Sequence, residues 1–356
     1  MTVYALRSPP IDLDVYRAGA RVLLDGTSLY QRPLATGLYF TYPPLAAIVL
    51  VPWALLPAMS AQIVMDATNL ALLFFVCRRS LIAVGVPAQR LLVGTSFAAG
   101  LLFWLDPVRT SVYLGQVNLV LLALVLWDLL GDENRRIRGI GVGIAAGIKL
   151  TPLIFIPFLF ATRQFRAAIT ATITFAGTIL VGFLVAPHDA ADYWLRGFFV
   201  ESARVFPDLG SPHNQSLLGL VSRLGAPRSV WLVLAVCLFA GTLIVAVRCG
   251  DRLLAITLCG LAGAAVSPYS WNHHWVYLVP LAICVGRELL RGNRYWLAPA
   301  VAMVLALPWI ANLANPPNGG PPVVGGPLGV VLGNGFLLIY VLALACSAWH
   351  VQRSPH

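Results

Sequence analysis

The stretch SVWLVLAVCLFAGTLIVAV, residues 229–247, runs for nineteen residues without a charge and is closed by Arg228 and Arg248. Coiled as an α-helix it reaches about 28 Å, close to the thickness of a bilayer's hydrocarbon core. Comparable apolar stretches recur at 60–77, 90–105, 113–130, 139–162, 165–186, 252–267, 275–286, 295–311 and 328–349. The whole 356-residue chain follows suit: 59% of it is apolar and 11% charged, with a mean hydropathy of +0.81. A water-soluble domain carries about 25% charged residues, so this chain lacks the polar groups to cover a surface in water. A helix satisfies its own backbone hydrogen bonds, which lipid cannot do, and the short alternating strands of a membrane barrel are not seen. The expected fold is therefore all-α: a polytopic integral membrane protein with about nine or ten transmembrane helices. It forms a single membrane domain over residues 1–356, with no soluble module and no internal repeat.

The charge balance, +10, could suggest nucleic acid. However, 23 of the 24 basic residues are arginines scattered in short clusters between apolar runs, the pattern of topology signals. Arg78, Arg79, Arg90, Arg135, Arg136, Arg138, Arg163, Arg166, Arg248, Arg252, Arg287, Arg291, Arg294 and Arg353 mark cytoplasmic ends on this reading. The other nine fall mostly in two long external segments, 1–43 and 187–228, where the positive-inside rule is weak. Six cysteines lie in or beside apolar runs without any C-x-x-C pair. They read as small buried hydrophobes and not as a disulfide framework or a zinc site.

Two segments resist simple spans. Residues 131–138 and 163–166 both carry cytoplasmic charge, yet one apolar run separates them. A re-entrant hairpin of two half-helices, broken near Lys149-Leu150-Thr151-Pro152, restores the parity, because proline cannot continue the helical ladder. Residues 44–58 are too short to cross and are interrupted by Pro52 and Pro57, so they read as an interfacial or re-entrant helix. The stretch 1–43 is then external, although its acids and arginines would not enter a bilayer unaided. A transmembrane helix ahead of residue 1 is the expectation that reconciles this. The Pro/Gly-rich stretch 315–329 reads as an external loop.

The polar motifs fall on one face. IDLDVYRAGARVLLDGTSLY, TYPP, LDPVRTSVYLGQVN, SPHNQSLLGL and SPYSWNHHWV all lie at external ends or just inside them, as expected of a binding or catalytic surface. Asp12 and Asp14 are either solvated acids or, beside aromatic and small residues, a general base able to deprotonate a hydroxyl. His273 and His274, between Trp271 and Trp275, suit either an interfacial belt or a phosphate. Arg109 anchors a helix end or clamps an anionic donor. Gln116 and Asn118 sit in an apolar run, where amides are costly unless paired. Lys149 at the helix break meets carbonyls or a lipid phosphate. His213, Asn214 and Gln215 are loop residues or sugar-hydroxyl ligands. No metal site is expected, since no spacing of acids and histidines forms a cage.

These motifs resemble glycosyltransferase family 87, the GT-C-fold mannosyltransferases that use polyprenyl-phosphate mannose. The resemblance rests on D-L-x-V-Y at Asp12–Tyr16, G-x-x-L-Y at Gly26–Tyr30, F-x-Y-P-P at Phe40–Pro44 and G-Q-V-N at Gly115–Asn118. It continues through K-L-T-P at Lys149–Pro152, N-Q-S-L at Asn214–Leu217 and S-P-x-S-W-x-H-H at Ser267–His274. It is nearest to the mycobacterial type acting on phosphatidylinositol mannosides or lipomannan, forming α-(1→2) linkages. It implies that Asp12, with Asp14 in the variable place, is the catalytic aspartate, and that His273 and His274 contact the donor phosphate, with Arg109 the candidate clamp beside them. Tyr16, Tyr42, Gln116, Asn118, Lys149, His213, Asn214 and Gln215 would then contact substrate. It further implies a plasma-membrane enzyme with an external active site and no cofactor beyond its lipid-linked donor. Its partners would be membrane lipids and a mannosylated glycolipid acceptor, with no nucleic acid. The family has a transmembrane helix ahead of the aspartate segment. A transporter for a lipid-linked sugar is the competing expectation; such proteins place their sites near the midplane.

Overall fold

A computed structural model describes residues 10–34, 37–200, 208–308, 310, 313 and 324–353. Every regular element among them is helical. Residues 315–323 of the Pro/Gly-rich stretch lie outside the described residues. The chain forms two compact units. One takes the chain up to Leu72 with Thr110–Phe160 and Gln164–Pro207; the other takes Leu73–Arg109, Ala161–Arg163 and the chain from Asp208 on.

The ten apolar stretches resolve unevenly into spans. Four helices among the described residues are long and apolar enough to cross a membrane: Ala58–Ala83, Phe165–Val185, Arg228–Arg248 and Gly335–Gln352. The pair Ala88–Leu102 and Asp106–Leu114, bent by 80°, makes a fifth if counted as one broken span. The rest are shorter, and the breaks have local causes. Gly115, at a φ of +69°, ends one helix and lets Asn118–Leu129 begin another. Residues Gly333 and Asn334 separate Gly326–Leu332 from Gly335–Arg353. The segment 44–58 is broken as expected, into Pro44–Val49 and Val51–Leu55 meeting at Leu50. The full-length helices leave large apolar side chains uncovered, among them Ile169, Ile173, Leu180 and Leu184 on one and Leu232, Val233 and Val236 on another. Unbroken apolar faces of this kind suit lipid and not water, so the chain is a multi-pass membrane protein.

In the first unit, Phe165–Val185 lies against Ile140–Ile148. The close approach comes from glycines spaced by four, Gly139, Gly143 and Gly147; a Cβ on Gly143 would stand 2.5 Å from Thr174 Cβ. Small residues at this spacing let helix backbones meet in lipid, where apolar burial offers no driving force. The turn before Ile140 is held by two reciprocal caps. The Asp128 carboxylate accepts from the backbone N–H of Gly139 and Val142 at 2.8–3.0 Å. Arg138, only 4% exposed, donates to the carbonyls of Asp128, Leu129 and Gly131 and to Gln164 Oε1. An acid thus satisfies a helix start and a base a helix end, as the helix dipoles favour. Arg138, read from sequence as a topology marker, is a buried brace.

Beyond Ile148 the helix stops where the sequence places its break. Lys149 is extended (φ −150°, ψ 136°), a 3-10 turn runs over Thr151–Ile154 with Pro152 in its first turn, and Phe155–Ala161 follows. In the second unit Arg252–Val266 is buried almost throughout. It packs against Arg228–Arg248, Leu278–Leu290 and Gly335–Arg353. Asp251 caps its start by accepting from Leu254 N–H at 2.9 Å and also pairs with Arg287.

Candidate active site

The D-L-D motif lies in a helix, Ile11–Leu24, and not in an irregular loop. Pro10 precedes it, Asp12 and Asp14 occupy its first turn and Arg21 its last, the distribution a helix dipole favours. Gly26, at a φ of +66°, closes it, with Thr27 N–H reaching back to Val22 C=O at 3.0 Å, a left-handed glycine cap. Two glycines let the helix sit close to its neighbours. A Cβ on Gly19 would come 2.6 Å from the Phe40 ring, and one on Gly115 2.6 Å from Leu13 Cβ. The helix is thereby seated against the F-T-Y-P-P and G-Q-V-N motifs.

Helical spacing separates the two acids. Asp14 turns toward Arg17, 3.9 Å away. Arg17 in turn is buried and donates to the carbonyls of Trp53 (3.0 Å) and Leu56 (2.6 Å), fastening the helix to the end of Val51–Leu55. Asp12 shares a face with Tyr16, four residues on, and this face meets a polar cluster. The Gln116 side chain faces the Asp12 carboxylate and favours its ionised form. Tyr16 Oη donates to Gln116 Oε1 at 2.8 Å and lies 3.1 Å from Tyr42 Oη. Asn118 Nδ2 also points to Gln116 Oε1, at 3.4 Å. Lys149 Nζ donates to Asn118 Oδ1 at 3.0 Å and stands 5.5 Å from the centre of the Tyr42 ring. Burial raises the Asp12 carboxyl above its usual range, opposed by the Gln116 hydrogen bond and the Lys149 charge. Burial also holds the Tyr16 and Tyr42 hydroxyls protonated, far above their ordinary value. A half-buried carboxylate with a raised pKa among neutral donors is what a general base needs near neutral pH.

Around this cluster the sequence reading missed a support. Asp189, buried, accepts from Ser28 Oγ (3.0 Å) and Leu29 N–H (2.9 Å). Asp192, fully buried, accepts from Gln31 Nε2 at 2.7 Å and from Arg196. These bonds fix Tyr30, whose hydroxyl donates to Tyr42 C=O at 2.7 Å. The ligand atoms of His188, Asp189 and Asp192 lie within 4.8 Å of one another, but the carboxylates are engaged by these loop and arginine donors. The H-D-x-x-D spacing was visible in the sequence; its partners, about 160 residues away, were not.

The remaining candidates belong to the second unit. The N-Q-S-L motif is a brace. Asn214 Nδ2 donates to the carbonyls of Leu209 (3.0 Å) and Pro268 (3.1 Å) while its Oδ1 accepts from Ser216 and Ser270 N–H. Gln215 Nε2 donates to the carbonyls of Pro212 and Gly333. The amide hydrogen bonds of both side chains thus go to backbone, fastening the S-P-Y-S-W-N-H-H segment. His213 lies 5.8 Å from the Trp271 ring, and burial lowers its pKa. His273, buried, stacks on Trp271 at 6.3 Å and stands edge-on to His274 at 4.8 Å. The 3-10 turn carrying both histidines, Asn272–Trp275, is tied by Asn272 Nδ2 to Asp106 Oδ2 at 2.8 Å, another pair missed from sequence. Arg109, one turn beyond Asp106, lies 5.6 Å from the Trp104 ring centre.

Comparison with known proteins identifies the family. A polyprenol-phosphate-mannose-dependent alpha-(1-2)-phosphatidylinositol mannoside mannosyltransferase of Mycobacterium tuberculosis is 32% identical over 304 residues, covering 78% of this chain and 70% of the relative. Its counterpart of the same name in Mycolicibacterium smegmatis is 32% identical over 331 residues, 83% and 74% of the two chains. A pentamannoside-directed mannosyltransferase of M. smegmatis is 33% identical over 325 residues, 86% and 77%. No solved structure matches the chain. The profile of glycosyltransferase family 87 matches residues 40–268. A membrane protein whose described elements are all helical, which carries this family's motifs in order and matches its profile over most of its length, is a glycosyltransferase: the chain belongs to glycosyltransferase family 87.

Proposed function

We propose that this chain transfers mannose from polyprenyl-phosphate mannose to a phosphatidylinositol mannoside, forming an α-(1→2) linkage at the external face of the membrane. The observation that carries the reading is the Asp12 cluster: a single half-buried carboxylate facing Gln116, beside Tyr16, Tyr42, Asn118 and Lys149. Asp12 takes the proton of an acceptor hydroxyl as that oxygen attacks C1 of the mannosyl phosphate. The C1–O bond to phosphate breaks, the electron pair leaves with the phosphate, and the configuration at C1 inverts. Polyprenyl phosphate is already an anion when it leaves, so one base suffices where a glycosidase needs two carboxylates. The developing charge needs cationic or donor groups, the role that the family resemblance implies for His273 and His274, with Arg109 a further candidate. The relatives' names support both donor and acceptor. The external placement rests on the positive-inside reading of the sequence, in which the polar motifs fall at the span ends away from the arginine clusters.

Purified protein in detergent, given labelled polyprenyl-phosphate mannose and a phosphatidylinositol mannoside, should form a heavier labelled glycolipid. GDP-mannose should not replace the donor. A transporter would leave the lipid-linked mannose unchanged in detergent, where no compartment exists, and that result would overturn the proposal.

A further inference from the structure

The role of Lys149 is not explained by contact with the reacting atoms. It sits at the only extended residue between Ile140–Ile148 and the Thr151–Ile154 turn whose side chain reaches back to the cluster. Each bond from it toward Asp12 has a fixed direction. A lysine ammonium can only donate, so it takes the oxygen of Asn118, 3.0 Å away, and leaves that amide's NH2 facing the other way. There it meets Gln116 Oε1, which also receives the Tyr16 hydroxyl. Two donors on its oxygen leave Gln116 to present its own NH2 to the Asp12 carboxylate. Without the lysine, Asn118 loses the donor that fixes its oxygen, and a flipped Asn118 would set a carbonyl against Gln116 Oε1 and favour the flip of Gln116 as well. A flipped Gln116 would point a carbonyl at Asp12.

We propose that Lys149 is a positioning residue for the catalytic carboxylate, orienting Asn118 and Gln116 so that every donor in the chain points toward Asp12. The proposal rests on the reading of Asp12 as the base. The groups facing Asp12 are Tyr16 on its own helix, Tyr42 from the segment before Pro43, Gln116 from the G-Q-V-N turn, and the Lys149 charge. Asp14 is turned to Arg17. Lys149 is the cation whose charge acts on Asp12 in this set, so its removal favours the protonated, inactive carboxyl.

The test is the pH profile of kcat/KM for mannose transfer in Lys149→Met, Lys149→Arg and Asn118→Leu, each checked as monodisperse. Lys149→Met should lower kcat/KM by about 10²-fold, the cost of a misplaced catalytic group. It should also move the acid limb up by about one pH unit or more, as loss of a neighbouring opposite charge does. Lys149→Arg, which keeps charge and donors, should restore most of the rate and the limb. Asn118→Leu, which cuts the chain but keeps the charge, should lower the rate with a smaller movement of the limb. A Lys149→Met variant with an unmoved acid limb and only a raised donor KM would assign Lys149 to the substrate phosphate and overturn the proposal. Wild-type profiles in both Lys149→Met and Asn118→Leu would overturn it too. Asp12→Asn, assayed alongside, separates the two levels: if it stays active the base assignment itself fails, whatever Lys149 does.

Discussion

Asp12→Asn should abolish transfer while leaving the protein folded, and Asp14→Asn should retain most activity. Loss of a general base costs about 10²–10⁴-fold in rate, and the amide keeps the shape of the carboxylate without its basicity. The structure sharpens the contrast between two acids only two residues apart. Asp12 meets Gln116 and feels Lys149, whereas Asp14 lies 3.9 Å from Arg17 on another face of the helix. Burial raises the Asp12 carboxyl, and the sign of the consequence is definite. A carboxyl whose folded pKa lies above its unfolded one binds its proton more readily in the native state, so ionised Asp12 costs stability above that pKa. A neutral asparagine removes this cost, and Asp12→Asn should be at least as stable as the wild type. The rate runs the other way: it needs ionised Asp12 and should fall as pH drops through a value above the ordinary carboxylate range. An active Asp12→Asn with an inactive Asp14→Asn would move the base to the other acid.

The second large effect is on stability. Arg138→Met should destabilise the protein by about 3–5 kcal/mol, the cost of removing one partner from a buried charged set. The Arg138 guanidinium serves the carbonyls of Asp128, Leu129 and Gly131 and the Gln164 side chain, and its charge acts on buried Asp128. Methionine fills the stem's volume but offers those acceptors no donor. Arg138→Lys should fall between, since an ammonium cannot reproduce the planar fork. The measurement is the half-life of monodisperse protein in detergent at fixed temperature, because unfolding of such proteins is commonly irreversible. A half-life for Arg138→Met equal to that of the wild type would contradict the bracing role.

The membrane class and the positions of the helix breaks were legible because they depend on local chemistry. Apolar run length, Pro52 and the Lys149–Pro152 break act within a few residues of themselves. The number of full-length helices was less legible. Gly115 and the Gly333–Asn334 break interrupt runs whose composition alone reads as continuous, and their effect depends on what packs there. The site divided the same way. Asp12, Tyr16, Tyr42, Gln116, Asn118 and Lys149 were all named from motifs, and the fold of the first unit brings them together. Asp189, Asp192, Asp106 and Asn272 were missed because their significance lies in partners far along the chain, which spacing does not reveal. Asn214 and Gln215 stood out as polar loop residues able to hold sugar hydroxyls, and the structure spends their amide bonds on backbone. Arg138 shows the converse: a charge beside an apolar run reads as a topology signal until its carbonyl partners are seen.

The central claim is a single displacement with one base, and the anomeric configuration of the product tests it most directly. Wild-type protein given β-linked polyprenyl-phosphate mannose and a phosphatidylinositol mannoside should yield a new α-(1→2)-linked mannose, read from the anomeric proton and carbon coupling of the isolated glycolipid. A β-linked product would require retention and hence a second displacement, which a lone Asp12 base does not provide, and would contradict the mechanism.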